Sequence, residues 1–466
     1  MPSSPADYRY AAWLVLTKFN PQKHDTSQLI EKYAAKIHNR AGTVDIVLGV
    51  IRNLLFIDSF ITKISVQPKS SIPDKTFNCL RIAVYELIFS NQPAYAIVNE
   101  AVELANKTGS KKSAGFVNAI LRKICASIKN KTADLKIAEP QKTLPLTPQI
   151  GCEFNIDILP DPMRQFAEYL SNAFSLPLWL VKLWLSQFGN EKTTDICFAS
   201  NRRPAIYARA NKLKLTAEKL FEIFKGQNTD CDFVEQYKMV RLNKPGNISE
   251  LKAFKDGLFT IQDITSSLVI PFLNPQSGWK IFDICAAPGT KTTQIAELIG
   301  DKGLIIATDN DNARLTKLDE NIKRLGITSV QIIDYETFLK DSSYKSCADA
   351  VLLDVPCSNS GVLARRPEVR FRINPGKTSE IAQIQKQLLN FAATLVKPGG
   401  KICYSTCSIL NQENNEVVSN FIKQHPEFSL KKENLILPSA CGEPAEAAEI
   451  YDFDGGFATI IIKKQN

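Results

Sequence analysis

Two short stretches carry the residues best suited to covalent chemistry: Asp354-Val-Pro-Cys357-Ser and, about fifty residues on, Tyr404-Ser-Thr-Cys407-Ser. Each sets a cysteine just past an apolar run that reads as a strand. Two thiols beside one carboxylate suit an enzyme that adds a thiolate to an electrophilic ring and later expels it. Upstream, Phe282-Asp283-Ile-Cys285-Ala286-Ala287-Pro288-Gly289-Thr290-Lys291 ends another apolar run and opens a helical pattern. Its small residues let backbone approach a ligand closely, and the turn presents a helix N-terminus. The spacing is neither GxGxxG nor that of a P-loop, so phosphate binding has no specific support. Asp309, Asp334 and Asp354 end the next three apolar runs. In a parallel sheet such strand ends line one edge, where ligands bind, and an acid after the second strand suits ribose hydroxyls. Asp283, Asp309, Asp334, Asp354 and Cys407 are therefore expected at one crevice. A single aspartate there is more often a turn or cap residue; four at successive strand ends fit that reading poorly.

Positioning these residues takes alternating strands and helices, and the C-terminal part of the chain has them. Residues 280–284, 304–308, 330–333, 350–353 and 401–405 are short apolar runs, and residues 291–299, 312–325, 379–396 and 413–424 have helical spacing. The alternation predicts an α/β domain over residues 261–466, a parallel sheet covered on both faces, with residues 457–463 as a last strand near its edge. The N-terminal part differs. Apolar residues recur at three-four spacing over residues 8–19, 29–37, 43–61, 77–89, 96–106 and 110–124, which predicts an all-α domain over residues 1–135. Residues 136–165 are poorly periodic and read as a linker with room for a short strand or hairpin. Residues 166–260 mix a helix at 177–188, a strand at 201–211, a helix at 216–225 and a turn at Lys255-Asp-Gly257 before another strand, a small α+β module.

The bulk numbers fit a multidomain protein. A chain of 466 residues is expected to hold two to four domains. It has no apolar run of membrane-spanning length and no signal-peptide pattern at its start. Eleven cysteines at no disulfide-like spacing and only three histidines, His24, His38 and His425, give no metal-binding pattern and suit a reducing cytosol. Cys79, Cys125 and Cys403 read as core thiols. Of the net charge of +9, residues 1–130 supply +8, from 17 Lys and Arg against 9 Asp and Glu. A basic module joined to a near-neutral remainder suits a polyanionic partner.

In order, Cys285-Ala-Ala-Pro-Gly-Thr-Lys-Thr-Thr293, Asp354-Val-Pro-Cys-Ser358 and Tyr404-Ser-Thr-Cys-Ser408 resemble the RNA cytosine-C5 methyltransferases of the Sun/Fmu type. The lead-in Phe259-Thr-Ile-Gln-Asp-Ile-Thr-Ser-Ser267 fits the same family. Leu80-Arg-Ile-Ala-Val-Tyr-Glu-Leu87, Ala94-Tyr-Ala-Ile-Val-Asn-Glu-Ala101 and Ser113-Ala-Gly-Phe-Val-Asn118 are similar to NusB, a helical RNA-binding fold. The resemblance covers nearly the whole chain. It implies a NusB-like helical RNA-binding domain, a small α+β RNA-contacting module and a Rossmann-like methyltransferase domain. It implies S-adenosylmethionine as cofactor and 16S rRNA, naked or in early assembly, as partner, with cytosine 967 as target. A cytoplasmic monomer is expected.

By that resemblance, Cys285, Ala286, Ala287, Pro288, Gly289, Thr290 and Lys291 contact the cofactor, Asp309 its ribose and Asp334 its adenine side, while Asp354 stands near the reacting base. Cys407 is the nucleophile and Cys357 assists product release. Cytosine C5 is too weak a nucleophile to attack a methyl sulfonium unaided, and thiolate addition at C6 makes it enamine-like. Asp354, protonated or sharing a proton, steadies charge at N3. A base then takes the C5 proton; Cys357, Asp354 or a water each suits. The target base must leave any stack. Arg365, Arg366, Arg370 and Arg372, with Phe371, sit on a loop expected beside the crevice and suit RNA phosphates and stacking. The chain departs from the family pattern with Thr290 where a second glycine is usual, Ala364 where an arginine is usual, and a glycine in Asp454-Gly455-Gly456 where an aromatic is common. One alternative is a catalytically silent NusB-like RNA-binding factor in transcription or ribosome assembly. Retention of Cys407, Cys357 and Asp354 together argues against it. Another is the same chemistry on tRNA, which the basic head does not distinguish.

Overall fold

Three-four apolar spacing over the first quarter of the chain becomes seven helices: α1 (Asp7–Lys18), α2 (Thr26–Ala34), α3 (Arg40–Arg52), α4 (Leu54–Ser65), α5 (Asp74–Phe89), α6 (Ala94–Thr108) and α7 (Lys111–Ser127). The computed structural model describes residues 7–34, 37–243, 246–440 and 452–465. The expected helix over 29–37 therefore runs partly outside the described residues. The expected helix over 43–61 is two, because Asn53 leaves helical geometry and turns its side-chain amide back onto the Gly49 carbonyl at 2.9 Å. Helix α5 is buried from Thr76 to Ile88 except at Arg81, as a central helix must be on most of its sides. A buried ion pair, Arg9 Nε to Glu86 Oε2 at 2.9 Å, fixes α1 on it.

The chain separates into two compact units. The first holds these helices, a three-stranded antiparallel sheet in the order β1-β3-β2, and two further helices. The strands are β1 (Ile128–Asp134), β2 (Thr143–Pro145) and β3 (Ile150–Phe154). The helices are α8 (Phe166–Ala173) and α9 (Leu178–Asn201), the latter kinked at Gly189.

The first unit also takes in Leu363–Arg372, and this corrects one sequence expectation. Arg370 does not face solvent for RNA phosphates; it is 1% exposed. Its guanidinium donates to the carbonyls of Arg52 (2.5 Å), Phe174 (3.0 Å) and Ser200 (3.0 Å) and to Asn201 Oδ1 (3.0 Å). Burial pushes its pKa down to about 9. Ala364 is buried too, and its carbonyl accepts from Arg52 Nη2 at 2.9 Å. A backbone carbonyl is all that contact requires, so alanine serves there. Arg366 remains exposed.

The second unit begins with a four-stranded antiparallel sheet in the order β5-β6-β4-β7. Its strands are β4 (Ile206–Ala210), β5 (Cys231–Val234), β6 (Met239–Leu242) and β7 (Phe259–Ile261), with helices α10 (Ala217–Gly226) and α11 (Lys252–Lys255). Leu220 and Phe224 of α10 are fully buried, Phe224 edge-on to Phe259.

Then α12 (Ile264–Leu273) leads into the alternation read from the sequence. The elements are β8 (Lys280–Asp283), α13 (Thr290–Leu298), β9 (Leu304–Ala307), α14 (Asn312–Leu325), β10 (Val330–Ile332), α15 (Tyr335–Lys340), β11 (Ala348–Asp354), α16 (Pro375–Leu395), β12 (Val396–Thr406), α17 (Asn415–Gln424), β13 (Phe428–Ile436) and β14 (Gly456–Lys463). The sheet order is β10-β9-β8-β11-β12-β14-β13. The first five strands are parallel, while β14 runs antiparallel between β12 and β13. The sheet is thus Rossmann-like, with one strand unforeseen. Residues 428–436 carry Lys431, Lys432 and Glu433, and most of that edge strand is exposed, so no apolar run marks it. An ion pair between Arg209 of β4 and Glu297 of α13, both buried, joins the small sheet to the large one. Among the described residues no helix is long and apolar enough to cross a membrane.

Arg370→Met should strip buried carbonyls of their donor and destabilise the first unit by roughly 3 kcal/mol. Urea unfolding followed by tryptophan fluorescence checks this, and an unshifted first transition contradicts it.

Candidate active site

The strand order reverses between β8 and β11, where doubly wound sheets leave a crevice at their carboxyl ends. Register decides what meets there. Leu352 pairs with Asp283 across β11 and β8, and Leu353 and Asp354 pair with Tyr404 and Ser405 across β11 and β12. Asp354 and Ser405 therefore end neighbouring strands at one level, and Ser405 Oγ donates to Asp354 Oδ1 at 2.8 Å. Lys291, in the first turn of α13, donates to Asp354 Oδ2 at 2.7 Å. Burial works against the Lys291 ammonium, but Asp354 more than offsets it, and its pKa is raised.

The chain leaves both strands in turns that bring the two cysteines together. Cys357 Sγ and Cys407 Sγ lie 2.9 Å apart, both thiols free and partly exposed. Asn359 Oδ1 accepts from Cys407 Sγ at 3.1 Å, and Asn359 Nδ2 donates to the Cys357 carbonyl at 3.0 Å. The Cys357 thiol is pushed well up, first by its hydrogen bond with Cys407 and then by burial. Cys357 is thus a thiol that keeps its proton beside a second sulfur. The pair can pass a proton between sulfurs, and the adjacent carboxylate and ammonium can support charge on a nearby ring.

The glycine loop is built by backbone constraint. Gly289 has φ +101°, and a Cβ there would stand 2.3 Å from Leu318 Cδ1, so only glycine fits. Thr290 follows as the first residue of α13, where a β-branched side chain is tolerated, so the missing second glycine leaves the loop intact. Ala286 and Ala287 are buried; Ala286 N donates to the Thr308 carbonyl at 3.0 Å and Asn321 Nδ2 to the Pro288 carbonyl at 3.1 Å. Asp309, after β9, is 3% exposed and accepts from Ala287 N at 3.1 Å and Asp311 N at 3.0 Å. Each of its oxygens keeps a lone pair for a further donor. Asp283 is buried, with one oxygen held by Thr292 at 2.7 Å and the other without a partner among the described residues. Burial pushes its pKa up to about 7. Burial also raises the Cys285 thiol, helped by Asp283 and Asp309.

The structure therefore forms two bonded groups at the ends of the neighbouring strands β11 and β12, Lys291–Asp354–Ser405 and Cys357–Cys407–Asn359, near enough for Cys407 to act electrostatically on Lys291, and ties the loop to Asp309 through Ala287. Asp334 is exposed and caps α15 through Thr337 N at 3.1 Å, with no bond to the others. Sequence reasoning missed Asn359, Ser358, Ser408, Gln385 and Glu413. Its one available signal was that each cysteine is followed by a serine, Ser358 and Ser408, as residues sharing a partner would be.

Comparison with known proteins agrees along the chain. A model of the 16S rRNA methyltransferase RsmB/F family matches residues 270–448, the NusB family model residues 7–126, and an RsmF/B-like ferredoxin-like domain model residues 176–249. The probable ribosomal RNA small subunit methyltransferase B of Synechocystis is 32% identical over 430 residues, covering 90% of each chain. Its counterpart in Bacillus subtilis is 30% identical over 395 residues, covering 84% of this chain and 81% of that protein. The crystal structure of PH0851 is similar over 99% of both chains, with a TM-score of 0.71 at 25% identity.

Since Cys407 is the leading cause of the raised Cys357 pKa, Cys407→Ala should lower that pKa. Cys357 should then react with iodoacetamide at pH 8 about tenfold faster than in the unaltered protein, because the thiolate is the reacting form. Peptide mass spectrometry reads the rate, and an unchanged rate contradicts the coupling.

Proposed function

The chain belongs to the family of ribosomal RNA small subunit methyltransferase B, and we propose that it methylates C5 of a cytosine in 16S rRNA from S-adenosylmethionine, through a bond between Cys407 and C6. The observation that carries this reading is the cluster of two sulfurs 2.9 Å apart beside a carboxylate that is itself bonded to a lysine. An enzyme that must add one sulfur to a ring and later expel it gains from a proton-holding neighbour.

S-adenosylmethionine, when bound, supplies an electrophilic methyl group. The residues present fit such a cofactor: small residues line the loop at Ala286, Ala287 and Gly289, Asp309 has lone pairs to spare for hydroxyls, and the unpartnered oxygen of Asp283 suits an added donor. On the chain's side, Cys407 adds to C6. Asp354, backed by Lys291 and Ser405, faces the ring edge and shares a proton at N3. After methyl transfer a base, for which Asp354 or a water each suits, takes the C5 proton. The C5–C6 double bond re-forms, the C6–S bond breaks and Cys407 leaves as thiolate, with Cys357, which has kept its proton until then, donating to the departing sulfur. Asp334 is assigned to the adenine side. Residues 1–135 and the module at 166–260 are assigned to holding the RNA, for which the +8 of the first 130 residues supplies the long-range attraction. The relatives named for small-subunit rRNA favour 16S rRNA over tRNA; cytosine 967 is taken as the target position only from the resemblance of the sequence motifs.

Incubation with labelled S-adenosylmethionine and unmodified small-subunit rRNA should place label in 5-methylcytosine. No label there overturns the reading in favour of a binding factor. Cys407→Ser should abolish turnover, by a factor of about 10⁴ or more, while cofactor binding measured by calorimetry is retained. Cys357→Ser should instead accumulate a covalent RNA adduct on denaturing gels. An adduct in Cys407→Ser and none in Cys357→Ser reverses the roles.

A further inference from the structure

Glu413 closes the short turn that follows the second thiol, just before α17, and its side chain is 0% exposed. A buried carboxylate is costly unless its lone pairs are filled. Here they are. Oε1 accepts from Ser358 N at 2.7 Å and from Gln385 Nε2 at 3.3 Å; Oε2 accepts from Ser408 Oγ at 2.5 Å and from Ser358 Oγ. All four donors are neutral, and the adjacent start of α17 favours negative charge. Ser358 follows Cys357, and Ser408 follows Cys407. One carboxylate therefore grips the residue after each thiol.

The surrounding bonds tie the same two turns. Ser360 Oγ lies 2.9 Å from Ser408 Oγ and accepts from Ile409 N at 3.0 Å. Gly361 N donates to the Cys407 carbonyl at 2.9 Å. Tyr404 Oη donates to the Glu413 carbonyl at 2.5 Å, and Gln385 Nε2 also donates to the Pro356 carbonyl at 2.9 Å. Gly361 and Gly455 pack too closely for a Cβ at Gly361, which would stand 2.6 Å from the Gly455 carbonyl oxygen. Every one of these contacts restricts how the turns move apart, and Ser358 Oγ itself lies 3.3 Å from Ser408 Oγ, but among the described residues only Glu413 bonds to both serines beside the sulfurs.

We infer that Glu413 is a positioning residue: its carboxylate locks the Cys357 and Cys407 turns together and so holds the two sulfurs within reach of one proton. It touches neither substrate nor cofactor. Its catalytic consequence rests on the function proposed above, whereas its effect on sulfur placement does not.

The test uses the full chain and the azo oxidant diamide. Cys357 and Cys407 each give up one proton and one electron to form a disulfide, and the azo bond is reduced to the hydrazine. Glu413→Gln keeps the side-chain shape but replaces one acceptor oxygen by a donor that faces donors. It should form the Cys357–Cys407 disulfide about tenfold more slowly than the unaltered protein, because small displacements weigh heavily on reactions between held groups. Alkylation of Cys407 by iodoacetamide and calorimetric binding of S-adenosylmethionine should be unchanged. Turnover should fall about tenfold in kcat, with the KM for rRNA unaltered. Should Glu413→Gln not fold, Ser408→Ala removes one of the four bonds and should slow the disulfide severalfold. A disulfide rate equal to the unaltered protein's in whichever variant folds overturns the inference. So does a slower rate accompanied by lost cofactor binding, which marks general loosening. If the unaltered protein forms the disulfide readily yet methylates no rRNA, the function falls and the positioning role stands.

Discussion

The parallel register of β11 on β12 is the constraint from which the site follows. With Asp354 opposite Ser405, both strands end at one level, and the turns that follow start side by side. The two cysteines then need only short excursions, three residues from Asp354 and two from Ser405, to place their sulfurs together. A slip of one residue would move one turn by about 3.3 Å and send alternate side chains to the opposite face. The strands are buried on both faces, with Val351, Leu352, Leu353, Ile402 and Cys403 fully enclosed, so such a slip has no favourable alternative packing.

The electrostatics of the crevice follow from the same stacking of strand ends. Asp283, Asp309 and Asp354 terminate or follow β8, β9 and β11, and like charges so placed oppose one another. The molecule answers in different ways at each position. Asp354 receives an ammonium from Lys291 and a hydroxyl from Ser405, Asp309 receives backbone N–H groups, and Asp283 is pushed toward neutrality by burial. Glu413, deeper beneath the cysteine turns, is filled by neutral donors instead. Polar groups at this density reduce stability locally and are retained where geometry has to be held.

The parts legible in the sequence were those with local signals. Alternating apolar runs announced β8 to β12 with α13, α14 and α16 between them, though not the short α15, and three-four spacing announced the N-terminal helices. The cysteine motifs and the Ala-Ala-Pro-Gly loop stood out because their residue types are unusual at strand ends. What escaped had its cause far along the chain. Arg370 reads as one of four surface arginines until carbonyls from Arg52, Phe174 and Ser200 are seen to enclose it. Glu413 reads as an ordinary acid at a helix start, since its partners Ser358 and Gln385 lie 55 and 28 residues away. Strand β13 lacked the apolar alternation by which strands are found, because it covers an edge and faces solvent.

In the proposed reaction the Cys407 sulfur becomes bonded to a pyrimidine ring. That bond is tested most directly with a small-subunit rRNA fragment whose target cytosine carries fluorine at C5. After methylation that carbon has no proton to lose, so the ring cannot be released. Digestion and mass spectrometry should find the nucleotide on the peptide containing Cys407. A nucleotide on Cys357, or a methylated product with no covalent protein attached, would rule out that bond to Cys407.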